Sequence, residues 1–356
     1  MRRDLPRYVL EQSYDWNYDH PPTPTNADIP QLDRKWRFLN WDLESPLGIA
    51  AGPLLNGDWI LYYASLGFDF LTYKTVRSRE RACYEAPNLL PVDTAQMDGQ
   101  EQRVTASSTM RGSWAVSYGM PSKSPDHWRA DVERTRDRLP KEKVLSVSVV
   151  ATVQSGWSMS QVAEDYARCA EWAISAGADC VETNFSCPNV STCDGQIYTQ
   201  PNDAALIAEV VKQRIGDVPL LVKIGHFRDT TAIAPLVMAI APHVDAIVST
   251  NSVTAQVQTA DGKLYFNGQK RGICGAATLN ASVAQVQQLV QVLDSHSTNV
   301  AVVGVGGIEN ANGVRQYLKA GAATVQLATS VMTNPLVGCE IRKSMAADPW
   351  PPAVDH

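Results

Sequence analysis

Two lysines close apolar runs in this chain: Lys74 at the end of FDFLTYK and Lys223 inside PLLVKIG. A buried ammonium needs an anionic partner. No carboxylate adjoins either lysine in the sequence, so a bound anion is the expected partner. Other apolar runs end the same way. DCVETNF leads into Asn184 and, just beyond, Cys187; DAIVSTN ends in Asn251 with Ser252; ATVQLAT ends in Thr329. A single Asn or Ser usually bonds to nearby backbone. Five runs that all finish on polar groups point instead to one site holding a ligand rich in donors and acceptors. Cys187 sits past a run end between Ser186 and Pro188, whereas Cys169 and Cys180 fall inside helical and strand patterns and read as structural. The spacing from Cys187 to Cys193 is not a zinc spacing and the six histidines are scattered, so no metal site is expected. In GVGGIENANG, residues 304–313, glycines stand where backbone amides could approach a phosphate and a helix begins just beyond.

These residues need a scaffold that brings run ends together. Eight short, near-continuous apolar runs recur at 46–51, 68–74, 144–151, 179–185, 219–225, 245–251, 299–306 and 323–329, a pattern that suits parallel strands covered on both faces. Helical patterns lie between most of them. Val162, Tyr166 and Ala170 share one face before a stop at Gly177; Leu206, Ile207, Val210 and Val211 form the stripe of the next, with Asp203 near its start and Gly216 after its end. Asn280 is read as the cap of ASVAQVQQLVQVL, and ANGVRQYLKAG stops at Gly321. Eight such alternations predict an α/β fold, a (β/α)8 TIM barrel, with an open doubly wound sheet as the second choice. In a barrel the C-terminal strand ends converge on one site, and the loops after strands seven and eight commonly bind phosphate. Two connections, about 76–143 and 252–275, exceed what a barrel needs and are assigned to the active-site face; Asp261-Gly262 between QVQT and KLYF predicts a hairpin. The expected organisation is an N-terminal extended arm over 1–40, a barrel over 41–340 and a tail over 341–356. Tyr8, Tyr14, Trp16 and Tyr18 would be costly to expose together, so the arm should lie on the body or on a neighbouring subunit.

Composition narrows the classes. The 356 residues are 44% hydrophobic and 19% charged, as expected of a globular chain, and the net charge of −6 argues against nucleic acid or an anionic membrane as partner. No run is long and apolar enough to span a bilayer, and the N-terminus lacks the apolar segment of a signal peptide. Seven irregularly spaced cysteines do not form a disulfide framework, which makes a cytoplasmic location the expectation.

Taken in order, SPLGIAAG, TYKT, NFSCPN, LVKIG, STNS, RGICGAA, GVGGI and VQLATS resemble the dihydroorotate dehydrogenase family of FMN-dependent (β/α)8 enzymes, over residues 40–340. The resemblance implies that Cys187 is the catalytic base of the soluble class, where the membrane-associated class has serine. It places Ala51, Gly52, Lys74, Thr75, Ser148, Asn184, Lys223, Asn251, Ser252, Gly275, Gly306, Gly307, Ala328 and Thr329 around FMN. Substrate contacts would come from Lys74, Asn184, Asn189, Asn251, Ser252 and the backbone amides of Tyr118, Gly119 and Met120. The implied reaction sends a hydride to flavin N5 and a proton to Cys187, and asparagine amides suit a ring of alternating C=O and N–H groups. Its partners would be a cyclic amide, most simply dihydroorotate, and an electron acceptor; a homodimer is expected.

The family's substrate loop NSMGLPN reads VSYGMPS here, residues 116–122, with Val116 and Ser122 in place of asparagines. A lost polar contact changes discrimination, so dihydrouracil, dihydrothymine or a specialised-metabolite ring are alternative substrates. A non-redox phosphate-binding lyase or isomerase using Lys74 or Lys223, and a flavin-binding relative without catalysis, complete the alternatives.

Overall fold

Eight parallel strands close on themselves in the computed structural model, which describes residues 5–32, 35–186 and 196–348. They are β1 (Leu47–Ile49), β2 (Phe70–Val76), β3 (Val144–Val149), β4 (Cys180–Asn184), β5 (Leu220–Lys223), β6 (Ala246–Ser249), β7 (Ala301–Val305) and β8 (Thr324–Leu327). Each pairs with the next in sequence, and β8 returns to β1 through Leu327 opposite Ile49. That closure rules out the open doubly wound sheet. Every residue of these strands is buried, because helices cover the outer face and side chains fill the interior. This is why the strands read as unbroken apolar runs.

Register sets the polar residues level with one another at the C-terminal end. Asn184 of β4 lies opposite Lys223 of β5, and Lys223 opposite Val248 of β6. In β2 the pairing with β3 slips between Tyr73 and Val76. A bulge of this kind re-aims side chains. Here it turns both Lys74 and Thr75 to the cavity described below, where a regular strand would alternate them.

The helices follow their apolar stripes. Met159–Ser175 starts on a capping box of Ser158 and Gln161, buries Val162, Tyr166 and Ala170, and stops at Gly177, whose φ of +97° only glycine adopts readily. Pro201–Ile215 buries Ile207 and Val211 and leaves Leu206 and Val210 half-buried. Asn280 is not the cap of its helix. A 3-10 turn, Ala276–Thr278, runs straight into the helix Leu279–Ser295, so Asn280 falls within the first turn.

Over the C-terminal mouth sits a second, five-stranded sheet built from the two long connections. Leu89–Asp93, Arg103–Ala106 and Ser113–Val116 come from the first; Val253–Gln258 and Arg271–Gly275 come from the second. It has its own core, including Val92, Val104, Ala115, Val257 and Ile273. The turn at Asp261-Gly262 forms, with Gly262 at φ +87°. The return strand differs from expectation. KLYF contributes only an isolated bridge at Leu264, and Arg271–Gly275 pairs with both Val253–Gln258 and Ser113–Val116. Placing the strand there gives it partners on both edges, which KLYF would not have.

The arm is not extended throughout, since Ser13 caps a short helix at Tyr14–Asp19. Tyr8, Tyr14 and Tyr18 are buried against the body, while Trp16 is half-buried and stacks on His20. Trp36–Phe38 then forms a hairpin with Trp41–Leu43.

Candidate active site

The strand ends and the cap sheet enclose a cavity of two connected lobes. The larger is lined by Ala51, Gly52, Lys74, Thr75, Tyr118, Gly119, Met120, Asn184, Lys223, Asn251, Ser252, Ala328 and Thr329. The smaller holds Gly275, Gly306 and Gly307 and shares Asn251, Ala328 and Thr329 with the first. Residues from nine separate segments of the sequence therefore meet in one place. Ser148 is the exception among the described residues singled out from the sequence. It is buried behind the wall, with its Oγ 3.0 Å from Thr75 Oγ1, and acts on the cavity only through that hydroxyl. Cys187, Asn189 and Cys193 lie outside the described residues.

The amide rim is held by its backbone neighbours. Asn184 Oδ1 accepts from the Ser186 amide at 3.1 Å, and its Nδ2 is 3.8 Å from Met120 Sδ, a weak acceptor that leaves the amide available to a stronger one. Asn251 Nδ2 donates to Ser186 O at 2.6 Å. Lys223 is 4% exposed, and among the described residues no carboxylate lies within ion-pair distance. Its charge is therefore available to a ligand.

The substrate-loop segment crosses the mouth with Gly119 at φ +74° and Met120 at φ +51°. Buried Arg77 fixes it by donating from Nε to Met120 O at 3.2 Å, and Tyr84 N donates to Tyr118 O at 3.0 Å. Val116 lines the cavity, but Ser122 does not. Ser122 Oγ accepts from the Arg77 amide and donates to Lys123 O, so its role is to hold the loop backbone.

Sequence reasoning missed Cys274, Trp114, Met332 and Glu309. Cys274 lines both lobes, one residue before Gly275 in RGICGAA. Burial pushes its thiol up to about 12 against the opposing pull of Lys223, so it stays protonated at neutral pH. Glu309 lines the smaller lobe, and burial raises its carboxyl above the ordinary range.

The smaller lobe fits a phosphate. Gly306 and Gly307 have φ of +123° and +72°. A Cβ on Gly307 would lie 2.5 Å from Leu279 N, so the turn can pack this closely only as glycine. Ser330 Oγ is buried there without a hydrogen-bond partner among the described residues. An orphaned buried hydroxyl is costly until an acceptor arrives, and a phosphate oxygen is such an acceptor. The larger lobe, lined by Ala50, Pro53, Val305 and Met332 with Lys223 and the amides at its edge, fits a flat ring with a polar rim.

A closed (β/α)8 barrel joining a lysine-and-amide pocket to a glycine phosphate cradle is the architecture of a barrel that holds a phosphorylated ligand at its C-terminal mouth. The sequence profile of the dihydroorotate dehydrogenase family matches residues 34–347, and the chain belongs to that family. The chain is similar to dihydroorotate dehydrogenase of Dictyostelium discoideum, with 29% identity over 93% of this chain and 95% of that protein. It is also 25% identical to dihydroorotate dehydrogenase (quinone) of Bordetella avium, over 91% of this chain and 86% of that one. A crystal structure of the Eimeria tenella enzyme in complex with ferulenol superposes with a TM-score of 0.72 at 16% identity, covering 93% of this chain and 88% of that chain, and it shares the fold. FMN is the cofactor of the family. The lyase and isomerase readings find no support in this membership.

Proposed function

We propose that the chain oxidises dihydroorotate to orotate, with FMN held across the two lobes and Cys187 as the base. The observation that carries the reading is the joining of the Lys223–Asn184–Asn251 rim to the Gly306–Gly307 cradle in one cavity, in a member of this family. Bound FMN supplies the hydride acceptor. The protein's part is to hold the substrate ring and remove a proton. The amides of Asn184 and Asn251 offer donors and acceptors to the ring carbonyls and N–H groups, and the backbone of Tyr118–Met120 closes over them. Lys223 sets a positive charge at the ring edge, where it favours the negative charge that develops on reduction. Cys187 takes the proton from the carbon adjacent to the one losing hydride. An unperturbed thiol has a pKa of about 8.5, so the site must favour the thiolate at neutral pH. Burial holds the Cys274 thiol protonated in the same cavity, which supports Cys187 rather than Cys274 as the base.

The electrons leave to an acceptor. Among the described residues no helix is long and apolar enough to cross a membrane. We assign the arm to 1–40 and the catalytic barrel to 41–340, and propose a homodimer working in the cytoplasm. Anaerobic addition of dihydroorotate to the yellow holoprotein should bleach the flavin absorbance, and an acceptor should restore it. Flavin that is retained but untouched by dihydroorotate would refute the assignment.

A further inference from the structure

The N-terminal arm meets the substrate loop through a polar contact. Tyr8 Oη and Tyr118 Oη lie 2.8 Å apart, and Tyr14 sets its ring edge-on to Tyr118 at a centroid distance of 5.7 Å. Tyr118 lines the cavity, whereas Tyr8 is 2% exposed and lies behind it. The arm is itself anchored to the barrel. Tyr62 Oη donates to Pro6 O at 2.6 Å and Trp59 Nε1 to Asn17 O at 3.0 Å, both from the helix Gly57–Ala64. Asn17 in turn clamps the arm, accepting from Val9 N at 2.8 Å. Tyr8 is therefore presented from a fixed platform.

The loop needs such a platform. Its backbone has two positive φ values in succession, at Gly119 and Met120, and is tied on one side by Tyr84 N to Tyr118 O at 3.0 Å. The Tyr84 ring packs against Gly119 so closely that a Cβ there would lie 2.6 Å from it. The Tyr118 side chain takes a hydrogen bond from Tyr8 and a ring contact from Tyr14, both on the arm.

We propose that the arm is part of the substrate site: Tyr8 is a positioning residue that acts through the Tyr118 hydroxyl to fix the 118–120 backbone over the substrate. This rests on the functional reading above. Burial pushes Tyr8 up to about 12 and raises Tyr118 as well, so the pair is a neutral hydrogen bond at ordinary assay pH. A positioning bond of this kind changes how well the substrate is held more than the rate of hydrogen transfer once it is bound.

The test uses Tyr8→Phe, Tyr118→Phe and the double variant, each as FMN holoprotein of the full chain. Orotate affinity is read from the shift of oxidised flavin absorbance, and dihydroorotate saturation from anaerobic bleaching. Tyr8→Phe should weaken orotate about three- to tenfold, the range of one neutral hydrogen bond, and raise half-saturating dihydroorotate by the same factor. The shift should fall on the half-saturating concentration rather than on the limiting rate. Tyr118→Phe should show the same loss, and adding Tyr8→Phe to it should change nothing further. Unchanged orotate affinity in Tyr8→Phe, a lowered melting temperature as its sole effect, or penalties that add in the double variant would each overturn the proposal. Wild-type holoprotein that neither binds orotate nor bleaches would defeat the functional reading and this one together. Wild-type binding with an unaffected Tyr8→Phe defeats this one alone.

Discussion

Replacing Gly307 by alanine tests the phosphate cradle at its tightest point. The residue sits at φ +72°, where an L side chain costs about 1–2 kcal/mol. The added Cβ would also lie 2.5 Å from the nitrogen and 2.6 Å from the Cα of Leu279. Those atoms are backbone at the first residue of the helix Leu279–Ser295, so no flexible side chain can swing aside. The turn must shift, and the amides that face the smaller lobe shift with it. A hydrogen bond to a charged group contributes about 1.5–3 kcal/mol, so losing one phosphate contact weakens FMN about ten- to a hundredfold. Gly216 serves as the control: its φ is +64°, and nothing lies within 4 Å of its Cβ position. Gly216→Ala should lower stability through its own positive-φ strain and leave FMN affinity alone. Titrating each apoprotein with FMN, followed by flavin fluorescence, together with urea denaturation, separates the two effects. If Gly307→Ala binds FMN within twofold of wild type, the cradle is misassigned.

Cys187→Ala should slow anaerobic bleaching by dihydroorotate about 10²–10⁴-fold while FMN affinity holds. In the same reading iodoacetamide at pH 8 should label Cys187 ahead of Cys83 and Cys274, whose thiols burial pushes up to about 11 and about 12; peptide mass mapping checks the order. Arg342 is fully buried with Asp69 at 2.7 Å and also donates from Nε to Gly67 O. Arg342→Met removes one of the two cations on the Asp69 carboxylate, Lys143 staying at 2.9 Å, and should cost about 1.5–3 kcal/mol in urea denaturation, the range of a hydrogen bond to a charged group; no measurable loss would contradict the pairing. Glu309 is an acid whose folded pKa is raised, so its contribution to stability is present at low pH and lost as pH rises through that raised value. Ionised, it also sets a negative charge beside the phosphate lobe. Glu309→Gln should therefore bind FMN more tightly than wild type, by a ratio that grows with pH above the ordinary carboxylate range. A ratio that stays flat with pH places Glu309 away from the phosphate. Comparing the two proteins cancels the phosphate's own titration.

What the chain's order of residues determined is everything set by local periodicity and by strand-end chemistry. Eight buried strands announce themselves as apolar runs because both faces are covered, and Lys74, Asn184, Lys223, Asn251 and Thr329 mark their ends because barrel strands deliver those ends to one mouth. Gly306 and Gly307 were readable for a similar reason, since a positive φ selects glycine locally. Partner choice was not readable. The return strand at Arg271–Gly275, preferred over KLYF, depends on an edge offered by Ser113–Val116 more than 150 residues earlier, as the opposition of Cys274 and Trp114 shows. The bulge that turns Lys74 and Thr75 to the same cavity depends on how β2 meets β3. The seat of Tyr8 against Tyr118 depends on the arm folding back across the helix Gly57–Ala64. Cys274 looked like any small buried residue until the cap sheet laid it beside Lys223. In each case the deciding interaction joins segments far apart in the chain, and a local pattern holds no record of which distant edge will be free to accept it.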